Sequence, residues 1–182
     1  MSGDPAGGTP AEATGTELLL LLDPALIASD EQDEVPAHVV LGAWLVDEPG
    51  RPSRVHSNPH YRPSTPESPL DPVDVVLRAL AGGEDVGDQL AAVLRDTVLA
   101  IATAEDGTAV VRAAPDGVPS VQVATSHGHR AGAGDADRWL DVTVEDLAAA
   151  LPPEGVDVLL NPGSPASMWV LADAIRAVAA EP

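Results

Sequence analysis

The stretch VDVLLNPG at residues 156–163, followed by MWVL at residues 168–171, gives the clearest structural prediction in the rear half of this chain. The first apolar run predicts a strand, and the second predicts a short strand leading into a helix built on Ile175 and Val178. Between the runs, Pro162 fixes its own φ angle and Gly163 tolerates a positive one, so the pair supplies a sharp turn. The stretch contains no pattern typical of catalysis.

The residues upstream predict helices and short strands joined by tight turns. Asp71 and Pro72 begin a helix, because an N-cap carboxylate precedes proline at the first helical position. The further predicted elements are a helix around residues 90–94, a three-strand meander over residues 98–102, 109–113 and 121–125, a Gly- and Ala-rich loop over residues 127–137, and a helix capped by Thr143. Because strands joined by short turns are antiparallel, this order predicts an α+β fold with a mixed or antiparallel sheet and about four helices.

The front of the chain has a different character. Residues 1–16 are predicted to be a disordered tail, and residues 17–57 a small β subdomain. In that subdomain the leucines of residues 17–22 predict a buried strand, residues 39–46 a second strand, and residues 54–56 its hairpin partner. Such a short β-meander is marginal alone, so we expect it to pack, through Trp44, on the α+β domain of residues 71–182. The proline-rich residues 58–70 predict an extended connector between the two parts.

The composition constrains the partners of this chain. Its 29 acidic and 9 basic side chains give a formal net charge of −20, which repels nucleic acid and anionic membrane surfaces. The same charge favours a basic protein partner, although an acidic composition also serves solubility alone. There is no cysteine, which excludes disulfides and thiol chemistry. Aromatic residues make up only 2% of the chain, so Trp44, Trp139 and Trp169 are each expected to pack in a core.

The sequence predicts no membrane segment. Its run of five leucines, residues 18–22, is far shorter than the roughly 20 apolar residues that a membrane-spanning helix requires. Residues 1–15 also lack the basic start of a secretory signal peptide. We therefore predict a cytoplasmic protein without membrane insertion.

No catalytic or metal-binding pattern is evident in the sequence. His56 and His60 are separated by Pro59, which breaks any helix that would place both on one face. His127 and His129 lie in the Gly-rich loop without carboxylates at the usual ligand spacing, so we interpret the histidines as surface residues. The serines near residue 164 do not form a G-x-S-x-G elbow, and no Walker motif is present. The sequence thus predicts no catalytic residue, no metal and no cofactor.

Two places are candidate binding surfaces. Tyr61 and Arg62 lie in the proline-rich connector. This segment is either a peptide-like docking surface or a linker that the Tyr61 side chain holds against the domain. The second place combines Thr125 and Ser126 with the turn of Asn161, Pro162 and Gly163. If their strands are neighbours, these two turns meet at one end of the sheet and form an exposed, concave and neutral recognition site. The alternative is that the second turn only reverses the chain.

Several motifs carry a resemblance to a known family. They are GAWLVD at residues 42–47, NPHYRPS at 58–64, DPVD at 71–74, AAPDG at 113–117, VATS at 123–126, LLNPG at 159–163 and SM at 167–168. Together they resemble actinobacterial type VII secretion system-associated proteins, and the rear half alone is similar to the SseB-like domain. The chain departs from that family at Ala124, where an aromatic residue is usual before Thr-Ser.

The resemblance implies a non-enzymatic, protein-binding accessory or chaperone-like factor linked to type VII secretion. Its partner would be a basic protein or a secreted helical protein. Two other functions remain open at this point: a small-ligand sensor with its pocket beside residues 124–129, and an immunity or inhibitor protein for a basic secreted toxin. The sequence leaves the oligomeric state undetermined.

Overall fold

A computed structural model describes residues 17–27, 35–48, 51–114, 117–134, 136 and 138–181. The predicted tail over residues 1–16 lies outside the described residues. The described part contains two β-sheets together with α- and 3-10 helices, which confirms the predicted α+β fold.

The N-terminal sheet is an antiparallel meander of three strands. These are β1 (Glu17–Leu22), β2 (Val40–Glu48) and β3 (Arg51–Ser57), in the order β1-β2-β3. A short helix α1 (Pro24–Ile27) and a 3-10 turn (Ala37–Val39) lie between β1 and β2. Leu19 is paired with Trp44 and Trp44 with Val55, so these three side chains share the inner face of the sheet.

The second sheet is mixed. Its strands are β4 (Leu99–Thr103), β5 (Val111–Ala113), β6 (Pro119–Ala124), β7 (Arg138–Val142), β8 (Asp157–Leu160) and β9 (Met168–Val170), in the order β7-β4-β6-β8-β9 with β5 also paired to β6. Only the β6–β8 pair is parallel. The helices of this part are α2 (Pro72–Ala81), α3 (Gly87–Arg95), α4 (Val144–Ala150) and α5 (Ala172–Ala180).

One hydrophobic core joins the two sheets. Trp44 is only 4% exposed and belongs to the same cluster of buried side chains as Val73 and Leu77 of α2. Val55 of β3 lies in that cluster too, and its N–H donates to Asp96 at the end of α3 over 2.7 Å. The N-terminal meander therefore packs on the rest of the fold as predicted, with Trp44 inside the shared core.

Two details of the second sheet differ from the prediction. Residues 109–113 were expected to form a hairpin with the preceding strand, but only the bridge between Thr103 and Ala109 joins them, and β5 pairs with β6 instead. The predicted loop over residues 127–137 is a 3-10 helix (His127–Ala133), and strand β7 follows it. Strand β7 (RWLDV) has neither the strict alternation nor the continuous apolar run that marks a strand in a sequence, so it was not predicted.

The leucine run of β1 is also not buried as expected. Leu18, Leu19 and Leu20 are 55%, 46% and 50% exposed. The reason is topological, since β1 is the edge strand of a sheet that packs on the core through β2 and β3. Of the other tryptophans, Trp139 is half-buried and Trp169 is 39% exposed on the edge strand β9, so Trp169 is not a core residue.

Two helices begin as their sequences predict. The Asp71 carboxylate accepts the N–H of Asp74 at 2.9 Å and caps α2, and Pro72 occupies its first turn. Thr143 caps α4 in a reciprocal pair of hydrogen bonds with Asp146. None of the helices that the structure describes is both long and apolar enough to cross a membrane.

Candidate functional site

The two turns singled out in the sequence meet at one end of the second sheet. Thr125 follows β6 and Asn161 follows β8, and these parallel strands end side by side. The N–H of Thr125 donates to Asn161 Oδ1 at 2.9 Å, and the side-chain amide of Asn161 donates to Thr125 Oγ1 at 2.9 Å. Both residues are buried, at 5% and 0% exposure. The expected meeting is observed, but the expected exposure of these two residues is wrong.

Four ionisable side chains, of which only Arg78 is partly exposed, complete this polar cluster. Thr125 Oγ1 donates to Asp71 Oδ2 at 2.7 Å. His129, from the 3-10 helix, places its Nε2 atom 3.6 Å from Asp71 Oδ2 and 3.6 Å from Asp74 Oδ2. Asp74 is fully buried and also binds Arg78 through both of its oxygens, at 3.1 and 3.0 Å. The interpretation of His129 as a surface histidine is therefore wrong.

The pKa values of Asp71 and Asp74 shift in opposite directions. Burial raises the pKa of Asp71, and the hydrogen bond from Thr125 only partly offsets that rise. Burial also favours the neutral form of Asp74, but the nearby imidazole of His129 and the hydrogen bonds from Arg78 and from the N–H of Leu70 outweigh it and lower the pKa to about 2. Asp74 is thus the charged partner of Arg78, whereas Asp71 acts mainly as a hydrogen-bonding cap.

The remaining residues of the second predicted site, Ser126, Pro162 and Gly163, lie next to the 3-10 helix. The Ser126 hydroxyl is buried without a hydrogen-bond partner, and Pro162 is buried as well. Gly163 is exposed and has a φ of 75°, as the turn prediction requires. A side chain at Gly132 would collide with the carbonyl oxygen of Pro162, so the helix lies directly against the turn. The concave surface expected here is closed by the protein's own backbone.

The first predicted site is also largely internal. Tyr61 is 8% exposed, and its hydroxyl lies 3.0 Å from Asp23 Oδ2 and 2.8 Å from the carbonyl oxygen of Pro69. Burial raises the pKa of Tyr61, so the phenol remains a hydrogen-bond donor. Only Arg62 is exposed, with a guanidinium contact to the carbonyl of Tyr61 at 3.1 Å. Of the two alternatives for this segment, the geometry of Tyr61 matches the pinned linker.

Asp23, which the sequence did not single out, anchors the connector. Its carboxylate is fully buried and accepts the N–H of Ser64 at 2.8 Å, the hydroxyl of Ser68 at 2.8 Å and the N–H of Ala25 at 3.0 Å. Burial opposes ionisation, but these hydrogen bonds prevail and lower the pKa of Asp23 to about 2. A single carboxylate next to β1 therefore binds the connector at three places, Tyr61, Ser64 and Ser68.

The Asp23 contacts predict a defined acid sensitivity. The pKa of Asp23 is lower in the folded chain than its ordinary value of 3.8, so its stabilisation is complete above pH 5 and is lost as the pH falls toward 2. A shift of this size corresponds to about 2 kcal/mol. We expect the unfolding free energies of the wild type and of Asp23→Asn, measured with urea from pH 6 to pH 2.5, to converge as the pH falls. Parallel curves over that range would contradict this role of Asp23.

The buried cluster contains no hydroxyl group hydrogen-bonded to an imidazole base. A nucleophile must lie within hydrogen-bonding distance of its base, but the hydroxyl of Thr125 donates to Asp71 and to no imidazole. The described residues also contain no group of three or more His, Cys, Asp or Glu side chains placed to hold a metal ion. The cluster instead connects α2, the 3-10 helix and the end of β6. Its members are Asp71, Asp74, Arg78, Thr125 and His129.

Three consecutive exposed leucines lie on the N-terminal sheet, whereas the other exposed large apolar residues of the described part are Val35, Val98, Val111, Leu140, Trp169 and Leu171. Leu18 and Leu20 point to the outer face of this sheet, where they are paired with Leu45 and Ala43 of β2. Leu19 points to the inner face and is still nearly half exposed. We call Leu18, Leu19 and Leu20 the leucine edge. It is a run of large apolar side chains along a strand that pairs on one side only within the described part of the chain.

Comparison with known proteins adds no relative. No family model, curated protein or solved structure matches this chain. The likeness to type VII secretion system-associated proteins thus stays a prediction from the sequence motifs.

Proposed function

We propose that this chain is a non-enzymatic accessory factor that binds another protein, and that the leucine edge is its docking site. The observation that supports this proposal is the exposure of Leu18, Leu19 and Leu20 on an edge strand. Large apolar side chains that lie together on a surface mark interaction sites in soluble domains. Their burial by a partner removes apolar area from water, which is the main driving force for protein association.

The polar cluster is consistent with the same proposal, because its side chains contact one another inside the protein. Its carboxylates bind Arg78 and Thr125, and the imidazole of His129 lies 3.6 Å from both carboxylates. These contacts join α2, β6 and the 3-10 helix. In this proposal the polar cluster therefore has a structural role, and the docking site lies elsewhere, at the leucine edge.

The sequence indicates the cellular process and the kind of partner for the proposed function. The resemblance implies an association with type VII secretion, and the net charge of −20 favours a partner with positive charge. A secreted helical protein as the partner would fit an accessory or chaperone-like factor. A basic toxin as the partner would instead fit an immunity or inhibitor protein.

Affinity purification from an actinobacterial host tests the proposal. The tagged full-length chain is compared with Leu18→Ser/Leu20→Ser and with the matched control Val98→Ser/Val111→Ser, which alters two other exposed valines of 65% and 47% exposure. We expect one near-stoichiometric protein partner with the wild type and the valine control, and its loss with the leucine variant.

Three results would contradict the proposal. They are the absence of any stoichiometric partner, equal retention of the partner by the leucine variant, and an enzymatic turnover that a single substitution abolishes. Circular dichroism of both double variants must match the wild type, so that loss of the partner reports the surface and not the fold.

A further inference from the structure

We propose that the partner binds by adding an extended, basic segment as a fourth strand alongside β1. This inference rests on the proposed function and specifies how the leucine edge is recognised. It follows from the order β1-β2-β3, in which one side of β1 pairs with β2 and its other side has no neighbour among the described strands. Six residues of strand present about 20 Å of backbone, enough for a partner segment of similar length.

The exposure of Leu19 is the observation that favours a strand over a protein surface lying flat on the outer face. Leu19 is paired with Trp44, which is 4% exposed, so both side chains are on the face that points toward the core. Leu19 nevertheless remains 46% exposed, because nothing in the described part of the fold lies beyond it. A partner on the outer face would cover Leu18 and Leu20 only. An added strand would cover all three leucines, since its side chains alternate between the two faces.

The other sheet edges carry features that discourage strand addition, whereas on β1 such features are confined to the two ends, at Glu17 and at the register shift between Leu21 and Leu22. On β3 the N–H of Val55 is already bound to Asp96, and the strand includes a proline. The edge strand β7 exposes the charged Arg138 and Asp141, and β9 has only three residues. Charges, prolines and short lengths are the means by which proteins protect strand edges. Residues 18–22 contain neither a charge nor a proline.

Charge decides between the candidate occupants of this edge. Two copies of this chain would bring together formal net charges of −20 each, and this repulsion opposes self-pairing of β1. A segment that alternates apolar and basic residues is attracted by the same field. It places apolar side chains on one face of the sheet, beside Leu18 and Leu20 or beside Leu19, and the aliphatic stems of its basic residues on the other face. We therefore assign the edge to a basic strand of another protein.

Disulfide trapping tests this inference, because the chain has no cysteine of its own. Leu18→Cys, Leu19→Cys and Leu20→Cys are prepared in the full-length chain, with Val98→Cys as the exposed control. The probes are two seven-residue peptides of alternating valine and lysine. In one a central valine is replaced by cysteine, and in the other a central lysine. Adducts formed in a glutathione redox buffer are quantified by mass spectrometry.

Strand addition predicts an alternating pattern of adducts. One peptide should react at positions 18 and 20 and the other at position 19, with a preference of at least about fivefold, because only side chains on the same face come close enough. Reaction of both peptides at 18 and 20 alone would overturn strand addition and leave the proposed docking site standing. Disulfide-linked dimers of the chain in place of adducts would assign the edge to a second copy and overturn the inference.

Two further outcomes complete the test. Yields no higher than those of Val98→Cys would overturn strand addition whatever the host purification shows, since that experiment decides the proposed function separately. Peptides with glutamate in place of lysine should give lower yields, and the lysine peptides should lose yield in high salt. Equal yields for both charges would overturn the assignment to a basic segment.

Discussion

Replacing Asp74 with asparagine is expected to lower the free energy of unfolding by about 3 kcal/mol, because the change leaves a largely buried cation without its partner. The Asp74 carboxylate binds Arg78 at two positions, accepts the N–H of Leu70 at 3.0 Å, and lies 3.6 Å from His129. Both carboxylate oxygens of Asp74 accept hydrogen bonds, whereas the side-chain NH2 group of an asparagine only donates. At least one of the groups that now donate to Asp74 therefore loses its acceptor. For a chain of this size, we expect the melting temperature to fall by about 6–12 °C.

A second aspartate–arginine pair provides the matched control. Asp173 lies 2.8 Å from Arg176, a distance close to that of the buried pair, but its side chain is 92% exposed. Because exposed ion pairs contribute little to stability, Asp173→Asn should leave the melting temperature almost unchanged. Similar effects of the two substitutions, measured by calorimetry, would show that burial of the Asp74 pair contributes nothing.

Replacing Asn161 with alanine is expected to lower the free energy of unfolding by about 2–4 kcal/mol, from two separate causes. The substitution removes the acceptor of the buried N–H of Thr125, and an unpartnered buried N–H is costly. It also places alanine at a φ of 48°, in the left-handed region that asparagine and glycine tolerate better. Urea denaturation of the purified variant measures the sum of the two costs.

The variant Asn161→Gly separates these causes. Glycine also lacks the side-chain acceptor, but it adopts a positive φ without strain. We therefore expect Asn161→Gly to be more stable than Asn161→Ala by about 1 kcal/mol, while both are less stable than the wild type. An alanine variant as stable as the wild type would mean that the hydrogen bonds to Thr125 contribute no stability.

Much of the fold was predictable because its signals are local. The N-cap at Asp71 followed by Pro72, the cap at Thr143 and the turn at Pro162 each involve residues within a few positions of one another. Each of these signals marks the element that the structure contains. Apolar runs similarly located β2 and β8, and alternation of apolar residues located β6. These features follow from backbone preferences that tertiary contacts did not override.

The missed features depend on contacts between residues that are distant in the sequence. His129 is buried because carboxylates more than 50 positions earlier face it, and no spacing rule connects such residues. The leucines of β1 were expected to be buried, since hydrophobicity alone does not distinguish a central strand from an edge strand. The sequence correctly brings Thr125 and Asn161 together but predicts them to be exposed. The reason is that residues 127–137 predict a loop, whereas the structure has a 3-10 helix at His127–Ala133 that lies against the turn.

The distribution of contacts around the N-terminal sheet has a consequence for the timing of synthesis. Asp23 is satisfied by Ser64 and Ser68, and Val55 by Asp96, so the first three strands acquire their partners only after about forty further residues have been added. At elongation rates of about 5–20 residues per second, this interval lasts roughly 2–8 s. During that time the nascent leucine run has left the ribosome before the core that supports its sheet exists. The segment proposed to recruit a partner in the finished protein is thus also the one most open to mispairing while the protein is being made.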